Sequence, residues 1–277
     1  MMYKIDSHHH FWTYNPAEYS WITEKMSVIR RNFGPVDLQR EIAAAGVSAA
    51  ISVQARQSLE ETNALLRLAE KHHFIRGVVG WVPFIEGAVS EVVAQYSSNA
   101  KLKGLRHVLH DEPDPDYILR EDFNRGISAL KQFGLVYDIL VFERHLPQTI
   151  QFIDRHPDQV FVVDHLAKPR VKAGEISPWA ERIRELAKRP NVYCKLSGLV
   201  TEADYHNWTE EQLKPYFDVV LDAFTSRRLM FGSDWPVCLV AISYKDWVQI
   251  VERFCSTLSE SEQERIWSGT AAETYSL

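Results

Sequence analysis

Eight short apolar runs, each followed by a longer stretch of helical periodicity, predict an α/β fold of the (β/α)8 TIM-barrel class for this 277-residue chain. Two further observations narrow the choice. Eight strand–helix units fit into about 270 residues, the size of such a barrel. No G-x-G-x-x-G turn follows the first run or occurs elsewhere, and the P-loop motif is absent, which counts against a doubly wound open sheet. The barrel is expected to be distorted, to occupy 1–277 as a single domain, and to carry an extra C-terminal helix.

Taken in order, the first run is KIDSHHHFW (4–12). An aromatic-rich connection, 11–35, leads from it to the helical stretch PVDLQREIAAAG and reads as part of a lid or an interface. VSAAISVQ (47–54) precedes SLEETNALLRLAEKHH, in which Leu59, Thr62, Leu65, Leu66 and Ala69 share one face. IRGVVGWV (75–82) precedes GAVSEVVAQYSS, and LKGLRHVL (102–109) precedes REDFNRGISALKQFG. LVYDILV (135–141) leads to HLPQTIQFIDRHP, and VFVVDHLA (160–167) to PWAERIRELAKRP. NVYCKLSG (191–198) leads to EEQLKPYFDVVLDAF, and LMFGSDWP (229–236) to YKDWVQIVERF. Several of these helices stop at Gly or Pro. SESEQERIWSGTAAETY predicts the extra helix, packed across the barrel.

Composition bounds the function. Hydrophobic residues make up 45% and charged residues 25%, as in ordinary globular proteins. The net charge of −6 and the lack of any basic run argue against binding nucleic acid or an anionic membrane surface. No apolar stretch reaches the roughly 18 residues of a transmembrane helix, and no secretory signal pattern begins the sequence. Cys194, Cys238 and Cys255 are odd in number and form no CxxC pair, so neither a disulfide framework nor a zinc ribbon is expected. These features fit a cytoplasmic protein, with a homo-oligomer left open.

Chemistry in a barrel sits at the C-terminal ends of its strands. The first run ends in His8-His9-His10. Side chains alternate along a strand, so His8 and His10 share a face and His9 points away. Two imidazoles so spaced can meet on one cation or one carbonyl oxygen. Asp6 falls on the same face by simple alternation and is expected to hold a histidine ring. A tag remnant has no reason to lie inside an apolar strand. The fourth run ends in Arg106-His107, with His110 and Asp111 just after; the fifth carries Asp138, an acid that needs a buried partner. The sixth ends in Asp164-His165, the seventh carries Lys195 and Ser197, and the eighth ends at Asp234. Each alone reads as a satisfied buried polar group. Together, His8, His10, His165 and Asp234 are expected to meet above one barrel mouth. Trp12, Trp81 and Trp235 lie at or just after strand ends, where they serve either as cavity walls or as core.

IDSHHHFW, VDHLAKP and LMFGSDWPV, supported by GLRHVLHDEPD, KLSGLVTEAD and the ending GTAAETYSL, make the sequence resemble the amidohydrolase superfamily nearly end to end. The nearest branch is that of the L-fuconolactonase, L-rhamnonolactonase and 2-pyrone-4,6-dicarboxylate lactonase type. The resemblance implies that His8, His10, His165 and Asp234 form a site for a single divalent metal, zinc by preference, or polarise a carbonyl directly. It implies Asp234 and His165 as catalytic groups. Arg106, His107, Trp12 and Lys195 are expected to bind a small-molecule lactone. Binuclear members add a bridging lysine or glutamate on strand four and a histidine on strand five. Here those strands offer Arg106 and His107, and Tyr137 and Asp138, which argues against a second metal. Pro83 stands where an acid is expected after GWV. The expected reaction is opening of an aldonolactone such as L-fucono- or L-rhamnono-lactone by Asp-activated water. A pyrone-dicarboxylate lactonase and a zinc-dependent aromatic acid decarboxylase are the alternatives, together with an inactive sugar-binding barrel. No G-x-S-x-G elbow occurs, so acyl-serine chemistry is not implied.

Overall fold

The computed structural model describes residues 2–277. The strands are β1 (Ile5–His9), β2 (Ala49–Val53), β3 (Ile75–Gly80) and β4 (Leu102–Val108), followed by β5 (Val136–Leu140), β6 (Phe161–Val163), β7 (Val192–Leu196) and β8 (Leu229–Phe231). They pair in parallel in the order β1 to β8. Each falls inside the apolar run that predicts it, because strands covered on both faces must be apolar almost throughout. The seam between β8 and β1 is closed beyond the end of β8. There the His10 N–H donates to the Trp235 carbonyl at 2.7 Å, and the Asp234 N–H to the His8 carbonyl at 2.8 Å. This irregular seam is the barrel's distortion, and it lies among the site residues.

The outer ring is α1 (Pro35–Ala45), α2 (Leu59–Lys71), α3 (Val89–Ser97), α4 (Glu121–Ser128), α5 (Leu146–Asp154), α6 (Trp179–Leu186), α7 (Glu210–Phe224) and α8 (Tyr244–Cys255). Capping agrees with the sequence signals. Ser58 accepts from the Glu61 N–H and Ser243 from the Asp246 N–H, and Gly46 ends α1 in the left-handed conformation. No helix among the described residues is long and apolar enough to cross a membrane. The three cysteines are free and buried.

The ninth helix is broken in two, α9 (Glu260–Glu264) and α10 (Thr270–Thr274), joined by a π-helical turn over Arg265–Gly269. It closes the N-terminal end of the barrel. Tyr275 inserts among Ile5, Val136, Val162 and Met230, the first inward residues of their strands. Above this apolar floor the lumen turns charged.

Helix α4 approaches the loop after β3 so closely that only glycine fits at 126. A Cβ there would lie 2.3 Å from the Phe84 carbonyl oxygen. Gly126→Ala is expected to lower stability by about 1–3 kcal/mol through overpacking; chemical denaturation of the two proteins checks this.

Candidate active site

A belt of charge crosses the middle of the barrel. Arg106, Asp138, Asp164 and Lys195 all point inward and are buried. Lys195 Nζ pairs with Asp138 and lies 3.0 Å from Asp164 Oδ1 and 3.3 Å from His8 Nδ1. Arg106 Nη1 donates to Asp164 Oδ2 at 2.8 Å, and Nη2 donates to the Gln54 carbonyl. The Tyr275 hydroxyl donates to Asp138 Oδ1 at 2.7 Å from below. Two acids and two bases thus balance out of water. Burial opposes ionisation of Asp164, but Lys195, His8 and Arg106 hold its carboxyl well below the usual range.

On this belt stand the imidazoles. His8 Nε2 is 3.1 Å from His10 Nε2, and Asp234 Oδ1 lies 3.8, 3.5 and 3.8 Å from the Nε2 atoms of His8, His10 and His165. His10 Nδ1 meets the Val53 carbonyl at 2.8 Å, and a carbonyl only accepts. In a neutral ring, His10 Nε2 therefore presents a lone pair to the cluster. Burial lowers the pKa of His8 far below its ordinary value and that of His165 to about 4, which favours neutral rings at pH 7. Burial opposes ionisation of Asp234, yet His165 and His10 hold it below the ordinary carboxylate value.

A divalent ion fits this donor set. Tetrahedral ligands about 2.0–2.1 Å from zinc stand roughly 3.3 Å apart, and the cluster spans 3.1–3.8 Å. His8, His10 and Asp234 form one such group, and His8, Asp164 and His165 a second that shares His8. Two close imidazole nitrogens need a positive neighbour, either a proton on His8 or a cation that displaces it.

The backbone around the site is strained. His165, Leu166, Ala167 and Lys168 have φ of 54°, 55°, 57° and 50°, a left-handed turn without glycine, and Asp234 has φ of 57°. Three contacts hold the turn: the Trp179 indole donates to the Leu166 carbonyl at 2.7 Å, the Lys168 N–H to the His165 carbonyl at 2.8 Å, and Lys168 Nζ to Glu202 Oε1 at 2.6 Å. His165 Nδ1 contacts Ser197 Oγ at 2.8 Å, and a Cβ on Gly198 would meet that ring at 2.6 Å.

A cavity of about 630 Å³ opens above the cluster, with His10, His165, Asp234 and Arg106 on its wall. The structure does not bring all expected residues there. His107 alternates outward into the shell between barrel and helices, where it contacts Glu112, Trp81 and Tyr117. Lys195 points inward but lies in the belt below, its charge taken by two carboxylates. Trp12 packs on Tyr19, Trp21 and Phe33, and its indole donates to the Arg31 carbonyl at 2.9 Å. Trp81 and Trp235 are likewise absent from the wall. Asp6 holds no histidine ring. The pairing of β1 with β2 slips between Asp6 and His9, which breaks alternation and turns Asp6 out of the lumen. There it accepts from the Ser233 N–H at 2.8 Å, the Ser233 hydroxyl at 2.6 Å and the Tyr244 hydroxyl at 3.1 Å, fixing the turn that carries Asp234. His9 faces outward to Ser52 Oγ at 3.0 Å.

Sequence reasoning missed much of the wall. Glu18 and Trp21 come from the 11–35 connection, Arg56 from just beyond β2, and Glu202 and Tyr205 from the loop after β7. Arg56, three residues past its strand, was the one with a local signal.

A (β/α)8 barrel with three imidazoles and an aspartate converging at the C-terminal mouth defines a barrel hydrolase of the type that handles a carbonyl with a metal ion or a set of polar groups. The chain belongs to the amidohydrolase family, whose profile matches residues 5–277. Among curated relatives it is similar to the L-fucono-1,5-lactonase of Burkholderia multivorans, 43% identical over 285 residues, covering 99% of this chain and 96% of that one. It is 36% identical to the L-fucono-1,5-lactonase of Burkholderia ambifaria, covering 100% of this chain and 97% of the relative. Among solved structures, an amidohydrolase of Burkholderia multivorans with bound zinc superposes with a TM-score of 0.96 at 43% identity, covering 99% of both chains.

Proposed function

We propose that the protein hydrolyses a neutral sugar lactone, with L-fuconolactone as the first substrate to test. The chemistry of the cavity wall carries this reading. Every arginine and lysine on it is already paired: Arg56 with Glu18 at 2.6 Å, Arg106 with Asp164 at 2.8 Å and Lys168 with Glu202 at 2.6 Å. Five carboxylates line it, Glu18, Asp111, Glu112, Glu202 and Asp234, against those three cations. Such a wall disfavours a pyrone dicarboxylate or an aromatic acid, whose carboxylates need unpaired cations. It suits a neutral, hydroxylated ring, and it repels the carboxylate formed on ring opening. Similarity to the two lactonases supports the same reading.

Asp234 acts as general base. Its carboxylate takes a proton from a water beside the lactone carbonyl while the oxygen adds to the carbonyl carbon. The ring C–O bond then breaks, and the leaving alkoxide recovers the proton from Asp234. Arg106, 3.4 Å from His8 Nε2, supplies positive charge at the cavity floor. His8, His10, His165 and Asp234 would hold zinc, which when bound supplies Lewis acidity to the carbonyl oxygen. The belt beneath keeps His8 in place through Asp164 and Lys195.

A pH-indicator screen of sugar lactones tests the reaction. Acid release from L-fuconolactone is expected; carbon dioxide from an aromatic acid, with no lactone opened, reverses the assignment. Metal analysis tests the site separately. After loading with zinc and gel filtration, about one ion per chain is expected, as for a single site, and His10→Ala is expected to lose it. Equal metal in both proteins removes His10 from the ligand set.

A further inference from the structure

Glu112 stands on the cavity wall at the end of a directed hydrogen-bond chain that begins outside the barrel. An indole N–H only donates, so Trp81 Nε1, 3.2 Å from His107 Nδ1, makes that nitrogen the acceptor. The proton of the neutral ring then sits on Nε2, which donates to Glu112 Oε1 at 2.6 Å. Burial lowers the His107 pKa, with Glu112 opposing, which favours the neutral ring at pH 7. Tyr117 stacks on His107 with centroids 5.2 Å apart and planes 11° from parallel, and the edges of Phe84 and Phe123 close around it. The donor is therefore fixed in direction.

The rest of the wall does not offer the same group. Glu18 and Glu202 face cations, and Asp234 faces the imidazoles. Asp111 is turned to solvent, its side chain 63% exposed against 20% for Glu112. Glu112 Oε2 takes no hydrogen bond from the described residues, while Oε1 is anchored. A carboxylate with one anchored and one free oxygen is a strong acceptor for a sugar hydroxyl.

We propose that Glu112 reads a ring hydroxyl of the bound lactone and so determines specificity, with His107 and Trp81 as positioning residues behind it. This rests on the sugar-lactone reading and deepens it: the site would distinguish a hydroxylated lactone from a bare one. His107 thus serves the substrate at one remove, without touching it.

The test is the ratio of kcat/KM for L-fuconolactone to that for δ-valerolactone, which has no hydroxyl. In Glu112→Gln and Glu112→Ala the ratio is expected to fall by about 10- to 100-fold, carried mainly by KM for the sugar lactone. Trp81→Phe keeps an aromatic ring but removes the indole donor, frees the His107 ring to exchange tautomers, and is expected to lower the ratio by a smaller factor. A mere staple of the turn after β4 would depress both substrates alike, so an unchanged ratio overturns the proposal. If the wild type opens no lactone, the parent reading fails by itself. Glu112 is then judged by calorimetric binding of L-fucose: binding at least about 10-fold weaker in Glu112→Gln supports it, and equal or absent binding in both proteins overturns it.

Discussion

Replacing Asp234 with Asn is expected to lower kcat/KM for lactone opening by about 10²–10⁴-fold, the usual contribution of a positioned general base. The substitution keeps the size of the side chain and removes its basicity. Because φ at this position is 57°, in the region where Asn and Asp are the best tolerated of the larger residues, the backbone should be undisturbed. Burial opposes ionisation of the native carboxyl, while His165 and His10 favour it enough to hold its pKa below the ordinary value. The base is therefore already deprotonated at neutral pH. The check is initial-rate kinetics on the lactone, with the melting temperature as control for folding. Unchanged turnover in a folded variant sinks the mechanism.

Lys195→Met is expected to produce the largest loss of stability, about 3–5 kcal/mol, because it leaves buried carboxylates without their shared cation. Lys195 Nζ contacts both Asp138 and Asp164, and all three side chains are fully buried. The loss should depend on pH in a defined sense. Burial already raises Asp138 to about 6 with Lys195 in place. Without the lysine, the folded-state value of Asp138 rises further above its unfolded value of about 3.9, and Asp164 loses one of the cations that hold it down. An acid with a raised folded pKa binds its proton more tightly in the folded state. Stability then falls as pH climbs from about 4 through and beyond 6. Denaturant unfolding at pH 5 and pH 8 should show a smaller deficit at pH 5. A deficit independent of pH would mean that the belt is held by packing and not by charge.

The barrel was legible because its signals are local. An apolar run such as VFVV, bounded by polar residues and followed by a 3.6-residue period, needs no distant partner to be recognised. His8, His10, His165 and Asp234 could be brought together on paper because each ends a strand, and the fold class places all strand ends at one mouth. His9 was separated from its neighbours by strand alternation alone. The same rule failed at Asp6, where the slipped register of β1 against β2 turned the side chain out to Ser233 and Tyr244. Position along the strand did not give depth, so Lys195 was expected at the wall and lies in the belt under it. Trp12 was expected beside the substrate and instead joins the aromatic packing of the 11–35 connection.

The sequence by itself determined the order of strands and helices and the convergence of His8, His10, His165 and Asp234 at one mouth. Those depend on periodicity and on residue type at strand ends. Only the tertiary structure decided that the arginines and lysine on the wall are spent on carboxylates, that Glu112 Oε2 takes no hydrogen bond from the described residues, and that His107 lies outside the wall. The cation pairings join residues on different strands and loops, such as Arg106 with Asp164 or Lys168 with Glu202. Electrostatic interaction depends on distance and burial, and neither is a property of a residue's place in the chain.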